Sequence, residues 1–318
     1  MVNSYQKIMI PSRPHPDVIV GIFLLIKFGA EKYPGVENAV IDICQELSAG
    51  DTAESLNKKG VLLLDVGKSK FDHHGKGKNL SQLIAEDLGI STNPAVAKIL
   101  AYAERDDKFG LGTVSKDILD KAFGLSGLVA SLNKTEINPD KVLKIVLPLL
   151  EAHLQEEIRR TEELPREFEN KLKEGTAEVF EIKNGKKIFK AVVLESDNLS
   201  MQGWLKSAGG IKADVVCQRN KDGFTNILTK PLKNIDLRWT TAYLRKAEAE
   251  IRERKLTCST FDLMREGKVP EIPEWYYDKA TNSVLNGGAS PKGILPTAIP
   301  FETIRDILKE SLAQDPPK

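Results

Sequence analysis

Three short apolar runs open this chain, at residues 7–10, 38–43 and 61–65, and segments with helical signals separate them. Strands that alternate with helices cannot be joined as hairpins, so they imply a mainly parallel sheet with helices on both faces. The first crossover is the apolar run 18–28, opened by Pro14-His15-Pro16-Asp17, with an acid where a helix start favours one. The second contains a short helix over 52–59 closed by Gly60. Ligands of such sheets bind beyond the carboxyl ends of the strands. His15, Asp17 and Asp65 all follow strand ends, so the fold has the means to gather them.

Helical periodicity continues through 79–88 and 95–105, the latter opened by Asn93-Pro94 and ending in Asp106-Asp107. Asn138-Pro139 repeats that start and leads into a long amphipathic stretch carrying Pro148 and Pro165. After Gly175 the pattern changes. Strands at 177–182 and 187–194 flank Asn184-Gly185, a hairpin signal, and a second pair at 213–218 and 224–229 flanks Lys221-Asp222-Gly223. Helices follow at 235–252, 261–265 and 300–312. The expected class is α/β, organised as a domain over 1–138, a helical connector over 139–174 and a smaller α+β domain over 175–318.

A length of 318 residues with 41% hydrophobic and 29% charged residues suits two soluble domains, and the net charge of +1 exerts no global pull on nucleic acid. Cys44, Cys217 and Cys258 are odd in number and show no CxxC spacing, as expected of reduced thiols in a cytoplasmic protein. The apolar run 18–28 is too short to span a bilayer, so no membrane partner is expected.

The chemistry concentrates in 61–75. There an apolar run ends on Asp65, turns, and returns through Phe71 to Asp72-His73-His74. Only four histidines occur in the chain, and two stand here behind an aspartate. Imidazole with carboxylate is a ligand set for divalent transition metals. Each piece alone has a plain reading: His15-Pro16-Asp17 as a turn and helix cap, Asp65 as a strand terminator, Asp106-Asp107 as a solvated helix end. Taken together, in this order after apolar strands, they point to a metal-dependent hydrolase.

Asp65 followed by Phe71-Asp72-His73-His74, with an upstream His-x-Asp and a downstream helix ending in acids, resembles the DHH phosphoesterase superfamily. The short spacing is most similar to its Myg (melanocyte proliferating gene) exonuclease-like branch. The glycine-rich run Gly287-Gly288-Ala289-Ser290-Pro291-Lys292-Gly293 resembles the substrate domain that accompanies the catalytic DHH domain. The resemblance implies metal ligands at His15, Asp17, Asp65 (bridging), His73 and one of Asp106 and Asp107. It implies His74 at the substrate phosphate, Asp72 orienting the imidazoles, and Gly287, Gly288 and Lys292 holding substrate. The histidine that usually opens the first motif has no counterpart in Ile10-Pro11-Ser12-Arg13, which puts one metal position in question. The expected activity is manganese-dependent hydrolysis of phosphodiesters in short oligonucleotides or nucleotides, with one or two ions and magnesium or cobalt as substitutes. The alternatives are hydrolysis of pyrophosphate or another small phosphate compound, and a catalytically impaired nucleotide-binding protein. The expected partner is a phosphate-containing substrate, such as a short single strand of nucleic acid.

Overall fold

The computed structural model describes residues 4–11, 13–74, 77–110, 115–135, 138–288 and 292–315. With 45% helix and 18% strand the chain is a mixed α/β protein. It divides into two units, Met1–Arg159 and Arg160–Lys318, each with its own core.

In the first unit β1 (Lys7–Ile10) is followed by α1 (Pro16–Phe28), β2 (Val40–Ile43), α2 (Ala53–Lys58) and β3 (Val61–Leu63). The three strands form a fully parallel sheet in the order β2-β1-β3, with Ile8 opposite both Ile41 and Leu62. Period-two alternation turns Ile8, Ile10, Ile41 and Leu62 into the core. The other face carries the Lys7–Asp42 ion pair (2.6 Å) and Val40, which is 54% exposed. That face is partly covered, with Leu63 buried on it beside the open Val40.

The unit continues with α3 (Leu80–Asp87), α4 (Ala97–Phe109), α5 (Ile118–Phe123), α6 (Leu125–Thr135) and α7 (Pro139–Ile158). Helix α1 is buried at every residue from Pro16 to Leu25, as a helix segment apolar on every side must be, and surfaces in its last turn at Lys27. It packs against α3, α4 and α7. Gly21 makes the α1–α3 approach possible, since a Cβ there would sit 2.9 Å from Ile84 Cδ1. The Asn138 side chain caps α7, which continues past Pro148.

A π-helical turn, Arg159–Glu163, separates α7 from α8 (Leu164–Glu174), the first helix of the second unit. The expected connector is thus shared out: Val142, Val146, Leu150 and Leu154 join the first core, whereas Leu164 and Phe168 pack with Trp204 and Leu205. Then follow β4 (Ala177–Asn184), β5 (Lys187–Glu195), α9 (Met201–Lys206), β6 (Val215–Arg219), β7 (Thr225–Thr229), α10 (Arg238–Ile251), α11 (Thr260–Leu263), β8 (Gly267–Val269), β9 (Ile272–Asp278), β10 (Ser283–Asn286) and α12 (Phe301–Ala313). The strands form one seven-stranded mixed sheet, β4-β5-β6-β7-β10-β9-β8, in which only β5 and β6 run parallel. Asn184 pairs with Lys187, so the first hairpin turns on Gly185-Lys186, with Gly185 at φ 55°.

Strands β8, β9 and β10 had no sequence signal, because Pro270 and Pro273 punctuate the run that builds them. Pro273 is tolerated because β9 extends past β10, whose pairing with it stops at Trp275. Beneath them the fully buried Arg245 donates to the carbonyls of Leu263 (2.8 Å), Arg265 (2.9 Å), Trp275 (3.0 Å) and Gly267, so its charge is solvated by backbone dipoles. Among the described residues no helix is long and apolar enough to cross a membrane.

Candidate metal centre

Strand β3 ends at Leu63, and the next residues make a tight loop back on themselves. Leu64 bridges to Phe71, and the Asp65 amide donates to the Phe71 carbonyl (3.4 Å). Within the loop the Ser69 hydroxyl donates to the Leu63 carbonyl (3.1 Å), and the Lys68 amide donates to Asp72 Oδ2 (2.8 Å). The loop is possible because Asp65, Gly67 and Lys68 take left-handed backbone at φ 59°, 67° and 53°. Asp tolerates that region better than most side chains, yet it still costs free energy, and such strain gathers at functional sites.

The loop brings Asp65, Asp72, His73 and His74 together. His73 Nδ1 lies 3.0 Å and His74 Nδ1 3.5 Å from Asp65 Oδ1, and the two imidazoles stack at 5.0 Å with 7° between their planes. Asp65 Oδ1 and His73 Nδ1 are buried, and neither makes a hydrogen bond among the described residues. The two atoms lie within ion-pair distance of each other without the geometry of a hydrogen bond. Two donor atoms each about 2.1 Å from one ion and about 90° apart would lie about 3 Å from one another. A buried carboxylate oxygen and an imidazole nitrogen left unbonded at that separation fit a divalent cation. Asp65, Asp72 and His74 also offer donor atoms within 4.8 Å of one another.

Asp72 serves its neighbour. Its Oδ1 accepts from the His74 amide (3.1 Å) and lies 2.7 Å from His74 Nδ1. Burial pushes the Asp72 carboxyl up, but the bonds from His74 and the Lys68 amide outweigh it and hold the group below the usual range. The Asp72 hydrogen bond, with the charge of Asp65 behind it, pushes the exposed His74 imidazole up.

The acids at the end of α4 part company. Asp107 Oδ1 lies 3.9 Å from His73 Nε2. Asp106, one residue and about 100° further round the helix, lines a 30 Å³ cavity with Arg105, Asp120, Lys121 and Ser126, and its buried Oδ1 makes no hydrogen bond among the described residues. His15 stands at the N-cap of α1 and makes no side-chain cap bond. Asp17, fully buried, turns to α3: its Oδ2 accepts from the Leu80 amide (2.8 Å) and its Oδ1 from the Ser81 amide (2.9 Å). Burial pushes its carboxyl up, and the Ser81 and Leu80 bonds and His15 pull it back.

The sequence offered no sign of the brace behind this loop. Asp87 accepts from Tyr33 (2.6 Å) and Lys32 (2.8 Å) and pairs with Lys70, which also donates to the Tyr33 hydroxyl (3.0 Å) and lies over the Phe71 ring. Burial opposes its charge, but these donors hold the Asp87 carboxyl below its ordinary value. The partners lie far apart in sequence, and charged residues near apolar runs are too common to single out.

In the second unit Gly287 and Gly288 both take φ 85°, so only glycine suits these positions. The Gly287 amide donates to the Glu274 carbonyl (2.6 Å) and the Gly288 amide to Leu285 (3.4 Å). Lys292 is exposed, and Ala289, Ser290 and Pro291 lie outside the described residues. A larger cavity of about 650 Å³, lined by Arg238, Arg265, Tyr277 and Lys279, contains none of these residues.

No protein-family model matches this chain, and no curated protein matches it either.

Proposed function

We propose that the chain is a metal-dependent phosphoester hydrolase of the DHH type, cleaving phosphodiesters of short oligonucleotides or nucleotides. The observation that carries this reading is the pair of unbonded, buried donor atoms, Asp65 Oδ1 and His73 Nδ1, 3.0 Å apart on a strained loop at the carboxyl end of a parallel strand. Asp65 and His73 would hold the ion. Mixed imidazole and carboxylate donors favour manganese, iron, cobalt or zinc over calcium. When bound, such an ion supplies Lewis acidity toward a phosphoryl oxygen and acidifies water.

The remaining steps belong to the chain. Asp107 beside His73 Nε2 favours the tautomer that carries its proton there, which would leave the Nδ1 lone pair free to take the ion. Asp72 fixes the His74 ring through Nδ1, so its other nitrogen is left to meet a substrate oxygen; the side chain is 73% exposed. The choice of an oligonucleotide rests on the family resemblance. A second reading, a nucleotide-binding protein without turnover, draws on Asp17, whose carboxylate is engaged by α3.

Hydrolysis of bis(p-nitrophenyl) phosphate with and without manganese separates the two readings, and a short oligonucleotide against pyrophosphate then ranks substrates. Manganese-dependent turnover, faster on the oligonucleotide, is expected. Manganese bound without turnover of any of the three compounds would exclude the hydrolase.

A further inference from the structure

We infer that this centre holds a single divalent ion and that Asp17 is a positioning residue, a brace for the ion-bearing segment, rather than a ligand. The inference rests on the metal-site reading above and goes further, to the number of ions and the work of the one acidic residue in the first motif.

Asp17 is fully buried, and each of its carboxylate oxygens accepts one backbone amide at the start of α3. The first amides of a helix have no intrahelical acceptor, and the positive end of the helix dipole favours a carboxylate there. Turning Asp17 toward an ion would strand both amides in a closed core, beside Leu80 and Ser81, which are themselves buried. The bond also has a clear mechanical consequence. Asp17 sits in the first turn of α1, directly after β1, while α3 starts shortly after His74. One carboxylate therefore ties the strand-end where the first motif lies to the end of the segment carrying Asp72, His73 and His74.

Among the described residues the other donors grouped at the loop, those of Asp72 and His74, are already spent on one another. Both oxygens of Asp72 are engaged, by Lys68, and by the amide and ring of His74. Asp106 lines a separate cavity of about 30 Å³, room for a water, where Arg105 and Lys121 balance its charge and that of Asp120. Among the described residues of the loop, Asp65 Oδ1 and His73 Nδ1 are the buried donor atoms without a hydrogen bond, and at 3.0 Å apart they suit one ion between them.

Calorimetric titration of the full chain with manganese chloride tests this. One ion per chain is expected, and the fully loaded protein should give the six-line electron paramagnetic resonance spectrum of isolated manganese. Two ions per chain, or an exchange-coupled spectrum, would overturn the single-ion inference while leaving the hydrolase reading intact. No binding at all would remove both. Asp17→Asn should lower the thermal midpoint yet still bind one ion, with affinity reduced by less than about tenfold, at or below the range typical of groups one shell removed from a metal. A folded Asp17→Asn protein that has lost manganese binding by more than about 100-fold, beyond that range, would overturn the bracing role. Asp65→Asn is the control and should lose binding. Should Asp17→Asn not fold, the wild-type stoichiometry and spectrum decide the number of ions.

Discussion

Replacing Asp87 with alanine removes the brace behind the metal loop without touching any proposed ligand. Asp87 is nearly buried, and it receives the Tyr33 hydroxyl at 2.6 Å, Lys32 at 2.8 Å and Lys70. A hydrogen bond to an ionised acceptor is worth about 1.5–3 kcal/mol when its donor is otherwise left short of a partner. The lysine side chains are 49% and 57% exposed, so solvent screening limits each pair to about 0.2–1 kcal/mol. These groups share one network and their losses overlap, which puts the expected destabilisation of the first unit at about 2–4 kcal/mol at pH 7. The pH dependence follows from the depressed carboxyl. Its folded-state value lies below the ordinary 3.8, so its contribution is present above about pH 4 and is lost as pH falls through the folded value. The gap between wild type and Asp87→Ala should therefore be full at pH 7 and shrink at pH 3. Urea unfolding followed by far-ultraviolet circular dichroism is the assay, because Trp204, Trp239 and Trp275 all lie in the second unit and tryptophan emission is blind to the first. Manganese affinity should fall together with stability, since Lys70 stands just before Phe71, Asp72 and His73. A gap of equal size at both pH values, or one below about 0.5 kcal/mol at pH 7, the scatter of ordinary surface substitutions, would refute the reasoning.

Asp65→Asn should lower the hydrolytic rate by at least about 10²-fold, as loss of a major electrostatic contributor does, and a variant with wild-type turnover would remove Asp65 from the centre. Gly21→Val forces new atoms onto Ile84 and Leu80 across the α1–α3 contact and should cost about 1–3 kcal/mol in urea unfolding; wild-type stability would show that the contact yields. Burial pushes the Cys217 thiol up to about 12, so a native-state titration with a disulfide reagent at pH 8 should leave Cys217 unmodified while the partly exposed Cys44 reacts. Modification of Cys217 before unfolding would contradict its place in the core.

The local elements of the first unit were legible because their periods are strong. Residues 7–10 and 38–43 alternate or run apolar between turn signals, and residues 18–28 are too uniformly apolar to lie anywhere except the centre of a helical layer. The histidine-aspartate segment was legible for a different reason: imidazoles are scarce in this chain, and two adjacent ones behind an aspartate are improbable as surface decoration. The strands 267–286 were not legible, since prolines interrupt them and their apolar residues acquire a period only once β7 and β10 pair. Asp106 and Asp107 were equivalent as letters. Helical rotation separated them, turning one toward His73 and the other toward Lys121 and Ser126.

Asp17 shows most clearly where sequence ends and tertiary structure begins. Its position after a strand and before an apolar helix marks it as either cap or ligand, and nothing local separates the two. The sequence by itself determined the inventory: an α/β start, a glycine-punctuated second half, and a set of carboxylates and imidazoles gathered in a few segments. The tertiary structure decided which of them meet. Asp65 and His73 were brought to 3.0 Å of each other by a loop with left-handed residues, while Asp17 was drawn to two amides of a helix more than sixty residues away. Hydrogen-bonding groups buried in a core must find partners, and which partners lie within reach is a property of the packed chain.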